Sequence, residues 1–185
     1  MDASAVDRLR AALAGTGWVE RAAAMARSLR GAGHSAGGLL LVGTPDDEPW
    51  HLAAHLDDEA RYARLPELRP TLVRWAPPPG APPHLAVGLS RLETVGRGET
   101  LFVVAQDAPP EGLLQRVADA RRSGATVLAL DAGSDELQAL AHEGLVVPAG
   151  PSLPTLDAVG HLLSAAAGAP PRRSRWPRRI RPAGS

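Results

Sequence analysis

The stretch from Glu99 to Pro148 constrains the fold more than any other part of the chain. Thr100–Ala105 (TLFVVA) and Thr126–Leu130 (TVLAL) are short apolar runs rich in β-branched residues, and LVVP follows at 145–148. Between the first two, the segment Glu111–Arg122 places Leu113, Leu114, Val117 and Ala120 at helical spacing. Strand, helix, strand with short connections is a βαβ unit, and such units build parallel sheets with helices on their faces. In that architecture ligands bind where loops leave the carboxyl ends of the strands. The loop Gln106–Pro110 is therefore the first place to look for function.

The rest of the chain extends the pattern. Ala5–Arg30 is helical, with Val6, Leu9, Leu13, Val19, Ala23 and Met25 offering an apolar face, and Gly15 and Gly17 divide it in two. The expected strands are Leu39–Val42, Thr71–Trp75, Leu101–Ala105, Val127–Leu130 and Leu145–Val147. Helices are expected over Glu48–Ala63, His84–Leu92 and Leu156–Ala167, while Ala76–Pro83 (APPPGAPP) is an extended, proline-rich connection. Together these predict a Rossmann-like α/β protein: a three-layer α/β/α sandwich around a five-stranded parallel sheet of order 2-1-3-4-5. A length of 185 residues suits one such domain, whose folding buries roughly two thirds of the unfolded surface.

Composition narrows the class. With no cysteine, disulfides and thiolate metal sites are excluded. No apolar run reaches the ~20 residues that a bilayer-spanning helix needs, and the polar start of the chain has no signal-peptide pattern, so a cytoplasmic protein is expected. All 20 basic residues are arginine; with the richness in Ala, Gly and Pro this fits a GC-biased genome and carries no functional reading.

The net charge of zero hides an asymmetry. Six arginines (Arg172, Arg173, Arg175, Arg178, Arg179 and Arg181) lie near the carboxyl end, leaving fourteen arginines against 20 acids elsewhere, a net charge of −6. The segment 169–185 lacks apolar periodicity and is read as a disordered Arg/Pro-rich tail on a domain spanning 1–168. Arg172–Arg181, with Trp176 and Ile180, has the composition of a nucleic-acid or anionic-lipid contact, but solvated disorder is favoured over either. An adaptor working through this tail is a third functional reading.

The motifs GATVLAL (Gly124–Leu130) and HEGLVVP (His142–Pro148), with GGLLLVG (Gly37–Gly43) followed by HLAAHL (His51–Leu56), resemble the sugar isomerase (SIS) domain family. The resemblance spans most of Leu39 to Ala167 and is nearest the phosphoheptose-isomerase-like subgroup. It implies binding of a phosphorylated sugar or related carbohydrate derivative. It also implies a homo-oligomer, dimer or tetramer, with N-terminal helices between subunits.

The family's loops after strands one and three carry hydroxyls, glycines and exposed amides that grip phosphate at helix N-termini. Here the first loop is GTPDDEPW (Gly43–Trp50), with Asp46, Asp47 and Glu48 where glycines and a serine are expected. The second is AQDAPP (Ala105–Pro110), in which Asp107 adds charge and Pro109 and Pro110 lack N–H donors. The ligand-binding loop candidates are accordingly Thr44, Asp46, Asp47, Glu48, Gln106 and Asp107. Two like charges ~4 Å apart repel by about 4 kcal/mol at an effective dielectric of 20, so these acids oppose a phosphate. An equally good account of Asp46–Glu48 is that they stabilise the first turn of the following helix.

The resemblance places a catalytic glutamate where this chain has His55, and a second catalytic histidine five residues before the Gly160–Leu163 run, where Leu156 stands. His55 remains the one catalytic candidate, since an imidazole moves protons near neutral pH. His51 and His55, four apart with Asp58 nearby, have metal-site spacing without the glutamate of an HExxH motif, and no metal is assigned. Asp46, Asp47, Asp107 and Asp131, all at strand carboxyl ends, are a weaker cation candidate. Trp18, Trp50 and Trp75 are expected to cover the sheet or a subunit contact, and His34, His84 and His142 have no evident partner.

The sequence thus favours a non-catalytic, regulatory or sensor SIS-like protein of carbohydrate derivative metabolism, without a cofactor. An active phosphosugar isomerase is the alternative.

Overall fold

The computed structural model describes residues 3–32, 36–148, 150 and 154–169. Of the tail expected over 169–185, residues 170–185 lie outside the described residues, as does His34. The five strands are β1 (Leu39–Val42), β2 (Pro70–Val73), β3 (Thr100–Ala105), β4 (Thr126–Asp131) and β5 (Glu143–Val146). They form one parallel sheet in the order β2-β1-β3-β4-β5, as the sequence pattern predicts. Among the described residues, six α-helices accompany them: α1 (Ala3–Ala12), α2 (Trp18–Ala32), α3 (Trp50–Ala63), α4 (Glu111–Arg122), α5 (Asp135–Leu140) and α6 (Leu156–Gly168).

Alternation along the strands builds a core on each face of the sheet. Leu39, Leu41, Phe102, Val104, Leu128 and Leu130 point to one side, where they meet Met25 and Leu29 of α2, Leu56 of α3 and Leu163 of α6. Leu40, Val42, Leu101, Val103, Val127 and Ala129 point to the other, against Leu113 and Val117 of α4 and Leu137 of α5. All four residues of β1 are 0–1% exposed. Each leucine so buried contributes about 1.5–3 kcal/mol relative to exposure. Outside this sandwich, Leu13 just past α1 and Ala22 of α2 pack with Leu162 of α6.

Several boundaries differ from the sequence reading for identifiable reasons. The helix expected from Glu48 begins at Trp50, so its first turn holds no acid and the helix-stabilising account of Asp46–Glu48 fails. The segment read as one helix over His84–Leu92 is two short 3-10 turns, Pro83–Leu85 and Leu89–Thr94. β2 ends at Val73, and Trp75 leaves the strand to donate its backbone N–H to Glu48 Oε1 (2.8 Å) and its indole N–H to Gly43 O (2.8 Å). Trp18 covers the core as expected, but Trp50 is 66% exposed. His142 has a partner: its Nδ1 accepts the Val127 N–H (2.9 Å), and its own N–H bonds Val127 O (2.8 Å), prolonging the β4–β5 ladder.

Two positions carry strain that substitution relieves. Arg64 ends α3 in the left-handed region (φ 57°) while Leu65 N–H reaches back to Ala60 O. An L-residue costs roughly 1–2 kcal/mol there and glycine almost nothing. Arg64→Gly is expected to raise the unfolding free energy by about 0.5–1 kcal/mol, read as a higher denaturant midpoint at unchanged slope. Glu59 of α3 is half-buried, and that burial, followed by its neighbour Asp58, holds its carboxyl above the usual range. With a folded pKa above the unfolded one, the native state binds the extra proton, so stability is lost as pH rises through the window between them. Glu59→Gln should therefore raise the melting temperature at pH 7 and leave a smaller difference at pH 4.

Candidate functional site

The helices on one face of the sheet carry the site. His51 and His55 lie one turn apart on α3, and Asp157 and His161 lie one turn apart on α6. Ala53, Leu56 and Ala60 of α3 share a core cluster with Val159, Leu163 and Ala167 of α6, so the two helices lie side by side. Gly160 packs beneath Leu52, where a Cβ would meet Leu52 Cδ1 at an ordinary van der Waals distance of 3.7 Å. The close approach faces His161 onto both α3 histidines. Its ring centroid is 4.6 Å from that of His55 and 5.1 Å from that of His51, while His51 and His55 are 4.6 Å apart.

Asp157 orders the group. His51 Nδ1–H donates to Asp157 Oδ1 (3.1 Å), and Asp157 Oδ2 stands 3.3 Å from His161 Nε2. His51 Nε2 and His55 Nε2 face each other at 3.1 Å. His161 Nδ1 is buried without a hydrogen-bond partner among the described residues. Burial, with His161 and His51 as positive neighbours when protonated, holds the His55 pKa below its ordinary value and favours the neutral ring. The histidines border a cavity of about 170 Å³ that also touches Asp47, Glu48, Val104 of β3 and Leu130 of β4. It opens at the carboxyl ends of the strands, where the fold class expects a ligand.

The candidate loop residues separate into different roles. Asp47 and Gln106 line the histidine cavity, whereas Asp107 and Asp131 border a neighbouring one beside Ser134. Glu48 lines the first cavity but is tied down, accepting from Arg74 Nε (2.9 Å) and from the Trp75 N–H. Asp46 is exposed, and Thr44 is 3% exposed with its hydroxyl unpartnered among the described residues. The acidic cluster of Asp46, Asp47, Asp107 and Asp131 does not converge. Asp131 instead accepts the Gly133 N–H through Oδ1 (3.0 Å). Among the described residues, the group of chelating side chains able to meet at one ion is His51, His55 and His161, whose ligand nitrogens lie within 4.8 Å of one another.

The sequence pattern singles out His55, and the structure sets it against His51 and His161, with Asp157 bonded to His51. The family resemblance expects a second histidine at Leu156, which lines the cavity wall, and not at His161 in the GHLL run. The sequence pattern pairs the α3 histidines with Asp58, whereas the carboxylate that bonds His51 is Asp157, 106 residues away. The available signal was the repeated four-residue spacing, His51/His55 and Asp157/His161, on two helices predicted to cover the same sheet.

No family model matches this sequence, and no curated protein sequence matches it. A solved structure does: a protein from Silicibacter pomeroyi DSS-3 assigned as a phosphosugar isomerase, with a TM-score of 0.54 and 19% identity over 89% of this chain. The fold is sugar-isomerase-like. At that identity the likeness extends to the fold alone, and this chain spans about half of the other, 47% of its length. Among the described residues, no helix is long and apolar enough to cross a membrane.

The loop after β1 is closed on itself. Thr44 N–H bonds Asp47 O (3.2 Å), Asp47 N–H bonds Thr44 O (3.3 Å) and Trp50 N–H bonds Glu48 O (2.8 Å). Gly43 permits this closure, because a Cβ there would overlap the Asp47 carbonyl and the Pro49 ring. Gly43→Ala is therefore expected to cost about 1–3 kcal/mol of stability, several degrees in melting temperature. A variant that unfolds like the wild type would show that the loop does not hold this conformation.

Proposed function

We propose that this chain is a carbohydrate-derivative-binding protein, regulatory or sensory rather than catalytic. Its ligand is held in the cavity between α3, α6 and the carboxyl ends of β3 and β4. The observation that carries this reading is the chemistry of the cavity wall. Three imidazoles and the carboxylates of Asp47, Glu48 and Asp157 line it, and no arginine does among the described residues. Such a wall offers hydrogen bonds in both directions to hydroxyl groups, because a neutral imidazole both donates and accepts. It offers little to a phosphate: the β1 loop uses the Thr44, Asp47 and Trp50 amides internally, and Pro110 at the start of α4 has no N–H to give. The preferred ligand is thus a hydroxyl-rich sugar or polyol derivative rather than a sugar phosphate.

The isomerase alternative is favoured by one observation, the 4.6 Å separation of the His55 and His161 rings. Two imidazoles so close could share acid and base roles across a hydroxy-carbonyl unit. On either reading the protein is expected to be a homo-oligomer. A role for the arginines of 172–181 in an adaptor is not needed.

Thermal unfolding against unphosphorylated sugars, nucleotide sugars and sugar phosphates tests the reading. A ligand at ~100 times its dissociation constant stabilises by about 2.7 kcal/mol, a shift of several degrees at this size. Stabilisation by an unphosphorylated or nucleotide sugar, unconsumed during the experiment, is the expected result. A shift with sugar phosphates, together with turnover lost in folded His55→Ala, would replace it with the isomerase. Silence across the panel would remove the carbohydrate reading.

A further inference from the structure

We propose that Trp50 is the stacking platform of the histidine cavity, and that the ligand held there is a sugar in its closed pyranose form. The inference rests on the carbohydrate reading and names the form of its ligand. Among the described residues, the large hydrophobic side chains left exposed are Trp50, Tyr62 and Leu85. Trp50 is the one that lines this cavity, beside Asp47, His51 and His55. Its 66% exposure places the indole at the edge of the cavity and not in its floor.

The other described tryptophans are committed elsewhere. Trp75 donates its indole N–H to Gly43 O (2.8 Å), and Trp18 packs against the core with the Arg21 guanidinium 3.7 Å from its ring centroid. Trp50 opens α3, where its backbone N–H bonds Glu48 O (2.8 Å) and the carbonyl of Pro49 accepts the Ala53 N–H (3.0 Å). Its backbone is thus held, and its ring lies 5.5 Å from that of His51 between centroids. With few torsions left to fix, such an aromatic surface meets a ligand at low entropic cost.

The chemistry of the platform selects the ligand. The face of an aromatic ring carries partial negative charge and attracts the weakly positive C–H groups of a sugar. A pyranose gathers several C–H bonds on one flat face and carries its hydroxyls around the edge. That edge suits the imidazoles and carboxylates of the same cavity, which donate and accept hydrogen bonds. An extended alditol has no comparable flat face, and a phosphate group has no C–H to offer. Isomerisation of a hydroxy-carbonyl unit needs the open chain, so a platform for the closed ring agrees with a non-catalytic role.

The test titrates the full-length protein, by calorimetry, with methyl pyranosides, which cannot open, with alditols of matching configuration and with nucleotide sugars. The wild type is expected to bind a closed-ring sugar more tightly than the matching alditol, with a change in tryptophan fluorescence that disappears in Trp50→Phe. Trp50→Ala, folded and of unchanged mass in solution, should weaken that binding by about tenfold or more, and Trp50→Phe should keep most of it. Equal binding in folded Trp50→Ala, or alditols bound as tightly as pyranosides, overturns the platform and leaves the carbohydrate reading standing. An altered oligomeric state in Trp50→Ala assigns the indole to a contact between copies and also overturns it. If the wild type binds no sugar of any of these classes, the carbohydrate reading falls and the platform falls with it.

Discussion

The inner strand β1 has no side facing water, and most of the molecule follows from that. β1 lies between β2 and β3, with Leu39 and Leu41 on one face and Leu40 and Val42 on the other, all essentially inaccessible. A parallel sheet of this kind is stable only when helices cover both faces. The face bearing Phe102, Val104, Leu128 and Leu130 is covered by α2, α3 and α6. Covering it sets α3 beside α6 through Ala53, Leu56, Val159 and Leu163, and the histidines of the two helices meet as a consequence. The chemistry of the cavity is a by-product of how the apolar face is roofed.

The fold was legible because its signals are local. Apolar runs such as Thr100–Ala105 and the helical spacing of Leu113, Val117 and Ala120 each state their own conformation. The short alternating elements leave few topologies to choose among. Errors fell where tertiary contacts compete with local pattern. The α3 start moved from Glu48 to Trp50 because Glu48 is drawn to Arg74 and the Trp75 amide. Proline-rich neighbours reduced the helix expected at His84–Leu92 to two tight turns.

The site was only half legible. His51 and His55 announce a shared face by their spacing, since one turn of helix separates them. Nothing local ties them to Asp157 and His161, more than a hundred residues later, because that pairing depends on which helices become neighbours. The family resemblance pointed at position 156, where Leu156 stands, and the histidine of this helix that meets the α3 pair is His161, five residues on. The acidic residues misled in the opposite direction. Their proximity in sequence suggested one cluster, yet Asp47 faces one cavity, Asp107 and Asp131 another, and Glu48 holds a strand end in place.

Mounting the imidazoles on helices and leaving the rim to loops divides the molecule into parts that can change independently. The α3 and α6 positions are fixed by the same apolar contacts that keep the domain folded, so any drift there is opposed by the whole core. The loops after β1 and β3 carry Asp46, Asp47, Gln106 and Asp107 on exposed backbone that contributes little to that core. Descendants of such a chain can exchange rim residues and admit molecules of different size or charge while the floor stays as it is. A scaffold arranged in this way is well suited to acquiring new ligands by small steps, and to engineering by loop exchange.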